Sequence, residues 1–122
     1  MRAAFLVLGI SIGAAASACD GTGASVEIID ARAFRGPDRR VVVDVDLRAH
    51  ESLGKNIGVY CTRATFAGED DPVEVCAADL EDGDTKTVRL VSAGDPAPGA
   101  AITIRVRLDR VDVGRSLAAP PR

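Results

Sequence analysis

The sequence has few of the residues on which stacking sites depend. It contains no tryptophan, one tyrosine, three phenylalanines and a single histidine in 122 residues. Sites that stack bases or sugars need aromatic platforms, and nucleic-acid binders carry clustered lysine and arginine. This chain instead has a formal net charge of −3. These features argue against a nucleic-acid partner.

Motifs that assemble a catalytic centre are also missing. His50 stands beside Glu51 and Ser52, but the members of a triad converge in space and are rarely adjacent in sequence. No glycine-rich phosphate loop follows a predicted strand, and there is no nucleophile elbow. We therefore expect a protein that is not an enzyme and needs no cofactor.

Helical periodicity is absent, and two-residue alternation takes its place. In the segment RRVVVDVDLRA, which begins at Arg39, the apolar residues at 41, 43, 45 and 47 fall on one face. AITIRVRLD, residues 101–109, repeats this pattern, and TKTVRLV, residues 85–91, places Val88 and Leu90 inward. Such alternation is typical of strands with one solvent-exposed face. A further strand is predicted in NIGVYCTRATF, with Ile57, Val59 and Cys61 on one side and a weaker alternation after Cys61.

Turn signals separate these segments about every 10 residues, a spacing typical of sandwiches and barrels. We predict an all-β chain, a single immunoglobulin-like antiparallel β-sandwich of about six or seven strands over residues 26–115. SVEIIDARAF would form the first strand, with a phase slip at Ile28 and Ile29. Val111 and Val113 form either a bulged continuation or a short last strand, and residues 116–122 are expected to be a disordered tail. The resemblance to immunoglobulin-like and fibronectin-type domains concerns architecture only.

The first 18 residues have the order of a secretory signal. Arg2 is followed by an apolar run and then by the small residues of Ala14–Ala18, and this order is typical of a cleaved signal peptide. The run is shorter than the roughly 20 apolar residues that a spanning helix needs, which disfavours an uncleaved anchor. We expect residues 1–18 to be removed on export.

Cys19 would then be the first residue of the mature chain. Ala16-Ser17-Ala18-Cys19 resembles the bacterial lipoprotein family, whose small-residue box ends directly at a lipidated cysteine, although Ala16 stands where the family usually has leucine. The resemblance implies lipid acylation of Cys19 (diacylglyceryl and an acyl group such as palmitate) and a membrane lipid as partner. Because the residues after Cys19 are small and polar, residues 19–25 are expected to form a short flexible tether. Ala16-Ser17-Ala18 also suits ordinary signal peptidase, so a simply secreted or periplasmic protein remains the alternative.

Two further cysteines, Cys61 and Cys76, lie 15 residues apart inside the predicted domain. Exported proteins meet an oxidising compartment, so we predict a disulfide between them. A redox site is disfavoured because there is no C-x-x-C motif, and a zinc site lacks a full set of ligands. Cys19 is the cysteine left over, and lipidation would remove its free thiol.

The acidic segment 69–84 carries eight carboxylates, and calcium binds loops rich in oxygen ligands. Asp79, Glu81 and Asp84 are the calcium candidates, although the position of Gly83 does not match the EF-hand pattern. A solvated, self-repelling loop is the simpler interpretation, and no metal site is assigned.

Two functions remain open at this point. The first is a non-catalytic lipoprotein of the cell envelope that has an interaction or structural role and contacts an envelope protein through the strand edge at residues 26–33. The alternative is a secreted calcium- or ligand-binding module that uses the acidic loops 69–84. The outward charges of the strands are also open: Asp44 and Asp46 pair with Arg107 and Arg105 if those strands are neighbours, and with Arg89 or Lys86 in an immunoglobulin topology.

Overall fold

A computed structural model describes residues 24–51 and 57–122 of the chain. The predicted signal peptide (1–18), Cys19 and most of the tether lie outside the described residues. The described part is all β, and none of it forms a helix that is long and apolar enough to cross a membrane. Its strands are β1 (Ala24–Arg35), β2 (Val41–Glu51), β3 (Tyr60–Phe66), β4 (Val73–Ala77), β5 (Thr85–Val91), β6 (Ala101–Leu108) and β7 (Val111–Ala118).

The seven strands form two antiparallel sheets, which confirms the predicted all-β sandwich of about six or seven strands, although β4 was not among the segments predicted from alternation. The three-stranded sheet has the order β1-β2-β5, and the four-stranded sheet has the order β4-β3-β6-β7. The fourth strand pairs with the third, whereas a constant-type immunoglobulin domain places it beside the fifth. The result is an immunoglobulin-like sandwich with three strands packed on four.

The core lies between the inner faces of the two sheets. Val41, Val43, Val45 and Leu47 of β2 are fully buried, as are Ile102, Ile104 and Val106 of β6. These are the positions that two-residue alternation assigned to the inside. Burial of a large aliphatic side chain contributes about 1.5–3 kcal/mol, so the regular alternation of β2 and β6 explains much of the driving force for this fold.

The phase predicted for β3 is wrong. The buried residues are Tyr60, Thr62, Ala64 and Phe66, while Val59 is 64% exposed and Cys61 faces outward. Ile57 is buried, but it precedes the strand, and its N–H donates to the carbonyl of Leu80. The apolar residues at 57 and 59 therefore belong to the irregular segment before β3, and they do not indicate which residues of the strand face the core. The strand itself pairs without a register shift.

The prediction is confirmed at the N-terminal end of the domain and wrong at its C-terminal end. The slip at Ile28 and Ile29 is confirmed as a register shift between Ile28 and Asp30. Residues 116–122, expected as a disordered tail, instead continue β7 as far as Ala118 and then bind the end of the sandwich. The Ala119 N–H donates to the carbonyl of Ala100, and Arg35 Nη2 donates to that of Pro120 at 2.6 Å. Val111 and Val113 begin this separate last strand, with both side chains buried.

Candidate binding groove

The outer face of the four-stranded sheet carries an unusual concentration of charge. Alternation along β3 and β6 directs Arg63, Arg105 and Arg107 outward, and these side chains are 53%, 54% and 73% exposed. Together with residues of the flanking strands and turns they enclose a groove of about 490 Å³. Its lining consists of Val59, Cys61, Arg63, Glu74, Arg105, Arg107, Asp109 and Asp112.

A disulfide joins two of the strands at this face. Cys61 and Cys76 are directly opposite each other in β3 and β4, with their sulfur atoms 2.05 Å apart. The pairing predicted from the sequence is therefore confirmed. Because β4 has five residues and stands at the edge of its sheet, the bond fixes this short strand against a central one.

One row of residues runs across all four strands. Glu74 on β4 lies opposite Arg63 on β3, Arg63 lies opposite Arg105 on β6, and Arg105 lies opposite Gly114 on β7. Like charges placed directly opposite on neighbouring strands destabilise a sheet. The two arginines at the centre of this row therefore sit in an arrangement that packing and stability alone would not favour.

The two arginines turn away from each other toward carboxylates at opposite sides of the sheet. Arg63 Nη2 lies 3.3 Å from Glu74 Oε2. Arg105 contacts both oxygens of Asp112, with Nε 3.1 Å from Oδ1 and Nη2 3.0 Å from Oδ2. The hydrogen bond from Arg105 and its positive charge hold the pKa of Asp112 below its usual value. The acidic groups thus stand at the sides of the groove and the basic groups at its centre.

Gly114 gives Arg105 the room for this contact. A β-carbon at Gly114 would lie 3.2 Å from both Arg105 Cδ and the Ile104 carbonyl oxygen, which is closer than ordinary van der Waals contact. Glycine inside a strand weakens it and often marks a place where another group approaches closely. At this position the approaching group is the Arg105 side chain on its way to Asp112.

Arg107 is the most exposed of the three arginines. It lies opposite Cys61, next to the disulfide. Its carboxylate contact is with Asp112, at 3.6 Å, and Asp112 also binds Arg105 at shorter distance. Arg107 is consequently the guanidinium in the groove with the most capacity to accept a further anionic partner.

The outer face of the three-stranded sheet shows the opposite arrangement. Arg89 on β5 forms a fork with Asp44 on β2, with distances of 2.8 and 2.9 Å to its two oxygens. Asp46 accepts hydrogen bonds from Arg32 and from the Thr87 hydroxyl. These bonds hold the pKa of each aspartate below its usual value. Asp30 and Asp46 lie directly opposite each other on β1 and β2, and Arg32 contacts both of them at 2.9 and 2.8 Å. The like charges on this face are therefore neutralised within the fold.

This result also decides between the two pairings left open by the sequence. Asp44 meets Arg89, as the immunoglobulin topology required, while Asp46 meets Arg32 on β1 and not Lys86. Arg105 and Arg107 belong to the other sheet. They are therefore available to the groove.

The acidic segment 69–84 is divided by the fold. β4 separates Glu69, which accepts hydrogen bonds from the N–H groups of Ala93 and Gly94 at one end of the sandwich, from the calcium candidates at the other end. Asp79, Glu81 and Asp84 are exposed there. Within the described residues, the group with three metal-ligand atoms close together is Cys61, Glu74 and Cys76, and its two sulfurs are joined in the disulfide. The three candidates are not brought together into such a group.

The remaining sequence candidates have structural partners. His50 lies in β2, and its Nε2 is 2.9 Å from Glu27 Oε1. The strand edge at residues 26–33 is interrupted by the register shift after Ile28. Arg115 on β7 also donates to the carbonyl of Ile28 at 3.0 Å, so part of this edge is already covered.

No protein family, curated protein or solved structure matched the chain. The groove is therefore identified from its geometry alone. Sequence reasoning placed Arg105 and Arg107 outward but missed the groove, because it misread the phase of β3 and lacked the register that sets Arg63 opposite Arg105.

Proposed function

We propose that the chain is a non-catalytic exported module, tethered to a membrane through Cys19, whose β-sandwich binds a partner protein through the groove. The observation that carries the proposal is the row of Glu74, Arg63, Arg105 and Gly114. Two opposed arginines and a strand glycine each weaken the sheet. Departures of this kind from otherwise consistent design are expected at functional sites.

The position of the domain relative to Cys19 supports the tether. β1 begins at Ala24, so four residues separate it from Cys19 in the sequence. An extended chain covers at most about 3.6 Å per residue, so the link from Cys19 to β1 reaches no farther than about 18 Å. A lipid on Cys19 would hold the whole sandwich close to the membrane surface, and two or more acyl chains provide stable anchoring.

Replacement of the anchor residue tests this proposal. In the host, Cys19→Ser should move the protein from the membrane fraction to the soluble fraction while leaving its thermal unfolding midpoint unchanged. The matched control Ser25→Ala keeps Cys19 and should stay with the membrane. Intact mass of the membrane form should equal residues 19–122 plus diacylglyceryl and acyl groups. Membrane retention of Cys19→Ser, or a mass without lipid, would contradict the tether.

A further inference from the structure

From the charge order of the groove, we infer that its ligand is a polypeptide segment in which acidic side chains are flanked by basic ones. This inference rests on the proposed function, because it assumes that the groove is the binding surface. It goes further by naming the chemistry of the partner.

The charges across the sheet follow the order minus, plus, plus, minus. Glu74 on β4, Arg63 on β3 and Arg105 on β6 share one row. Asp112, the anion on the outer strand β7, lies two residues along that strand, opposite Arg107, and Arg105 contacts it diagonally. Neighbouring strands lie about 4.8 Å apart, so the strands that carry Arg63 and Arg105 are one spacing apart and the strands that carry Glu74 and Asp112 are about 14 Å apart. A complementary ligand presents carboxylates at its centre and cations at both sides.

The central arginines are suited to carboxylate ligands. A guanidinium offers parallel N–H donors that match the two oxygens of a carboxylate. Arg63 Nε and Nη2 both lie 3.3 Å from one Glu74 oxygen, Oε2, and Arg107 shares Asp112 with Arg105 at 3.6 Å. All three arginines remain more than half exposed. They can bind an incoming carboxylate without leaving a buried charge unpaired.

The acidic members of the groove disfavour a ligand of uniform negative charge. Arg63, Arg105 and Arg107 are balanced by Glu74, Asp109 and Asp112, so the groove as a whole has no net charge. A polyphosphate or nucleic acid would meet like charge at both sides, and juxtaposed like charges suppress wrong partners. A polypeptide with both signs can satisfy the centre and the flanks together.

The scaffold holds these groups in place before a ligand arrives. Arg63 and Arg105 project from the two central strands of the sheet, and the Cys61–Cys76 bond fixes β4 with Glu74. Groups on rigid strands pay less ordering entropy on binding than groups on loops. The space that Gly114 leaves keeps Arg105 directed toward Asp112.

The test uses a defined probe and purified protein with its disulfide intact. The probe is the blocked hexapeptide Lys-Ser-Glu-Glu-Ser-Lys, compared with the inverted peptide Glu-Ser-Lys-Lys-Ser-Glu. Binding is followed by NMR through the side-chain Nε–H signals of arginine. We expect the probe to shift the signals of Arg63, Arg105 and Arg107 and to bind at least threefold more tightly than the inverted peptide.

Two matched variants distinguish binding at the groove from a general effect of the protein's net charge. Arg107→Gln removes the freest guanidinium of the groove and should weaken probe binding about tenfold. Arg48→Gln removes an exposed arginine from the outer face of the other sheet and should leave it unchanged. Equal effects of the two variants, or equal binding of the two peptides, would overturn the inference.

Two further results would also overturn it. Tighter binding of tripolyphosphate than of the probe would assign the groove to a simple polyanion. Self-association in sedimentation, abolished by Arg107→Gln, would make a second copy of this chain the occupant.

A photo-crosslinker at Val59, 64% exposed beside the groove, distinguishes failure of this inference from failure of the proposed function. Crosslinking of a partner protein in the host, without probe binding, would leave the proposed function standing and remove only the charge pattern.

Discussion

The two outer faces of this sandwich use similar residues for different ends. On the three-stranded sheet, Arg32, Asp44 and Arg89 alternate across the strands. Asp44 is almost completely buried and forms a fork with Arg89. On the four-stranded sheet, two arginines oppose each other and a disulfide crosses the strands. Each face opposes one pair of like charges. On the three-stranded sheet a single arginine, Arg32, bridges the pair, whereas Arg63 and Arg105 contact separate carboxylates and stay more than half exposed. The way the like charges are neutralised therefore separates a face that stabilises the fold from one that is available to a partner.

The largest effect on stability is expected from removal of the disulfide of the four-stranded sheet. The double variant Cys61→Ala/Cys76→Ala removes a bond between residues 15 apart, which constrains the unfolded chain by about 3 kcal/mol in the loop-entropy account. We expect the free energy of unfolding, measured by urea denaturation, to fall by about that amount. A loss below about 1 kcal/mol would show that the pairing of β4 with β3 needs no covalent support.

The next effect belongs to the ion pairs of the three-stranded face. Asp44→Asn leaves Arg89 without its carboxylate, and because the Arg89 side chain is 61% exposed, water replaces part of the lost interaction. We expect a loss of stability at neutral pH that is smaller than that of the double cysteine variant, again measured by urea denaturation. Asp71→Asn, at an exposed loop carboxylate, is the matched control and should have little effect.

At low pH, Asp44→Asn and the unchanged chain should have the same free energy of unfolding. The pKa of Asp44 is lowered in the folded state by its hydrogen bonds with Arg89. Its contribution is therefore present above the unfolded pKa, near 3.9, and is lost as the pH falls through the lower folded value. If the two proteins still differed by the same amount at pH 2, the carboxylate charge would not be the source of the effect.

The smallest expected effect concerns the opposed arginines. Arg63→Thr removes one like charge from the row and introduces a good strand former, but it also removes the exposed pair with Glu74. We expect these effects to cancel, leaving the thermal unfolding free energy within about 0.5 kcal/mol of the original. Probe binding should nevertheless weaken severalfold. A large loss of stability would assign Arg63 to the fold and remove it from the groove.

Much of the architecture could be read from the sequence, because β2 and β6 bury every second residue without interruption. The phase of β3 could not be read in the same way. Ile57 and Val59 extend an apparent apolar series, yet Ile57 is buried by the loop near Leu80 and Val59 is exposed. The tail residues 117–122 (LAAPPR) show no two-residue alternation and include two prolines, but their backbone groups bind Ala100 and Arg35.

The groove could not be predicted from the sequence in the same way, because it depends on pairing between distant strands. Nothing local to Arg63 or Arg105 indicates that they face each other across β3 and β6. The predicted disulfide does indicate part of the register between β3 and β4. If Cys61 is directly opposite Cys76, antiparallel counting places Arg63 opposite Glu74, so half of the row follows from one correct pairing and one correct phase.

The chain direction of β1 has a consequence for how an anchored domain would be oriented. β1 begins at the end of the sandwich where β6 turns into β7, and the disulfide, Arg107 and Asp112 lie in the half nearest that turn. A sandwich held by a short link from Cys19 would therefore present its groove on the side wall just above the lipid headgroups, with the β7 terminus pointing away from the bilayer. A partner would have to approach laterally, along the membrane surface.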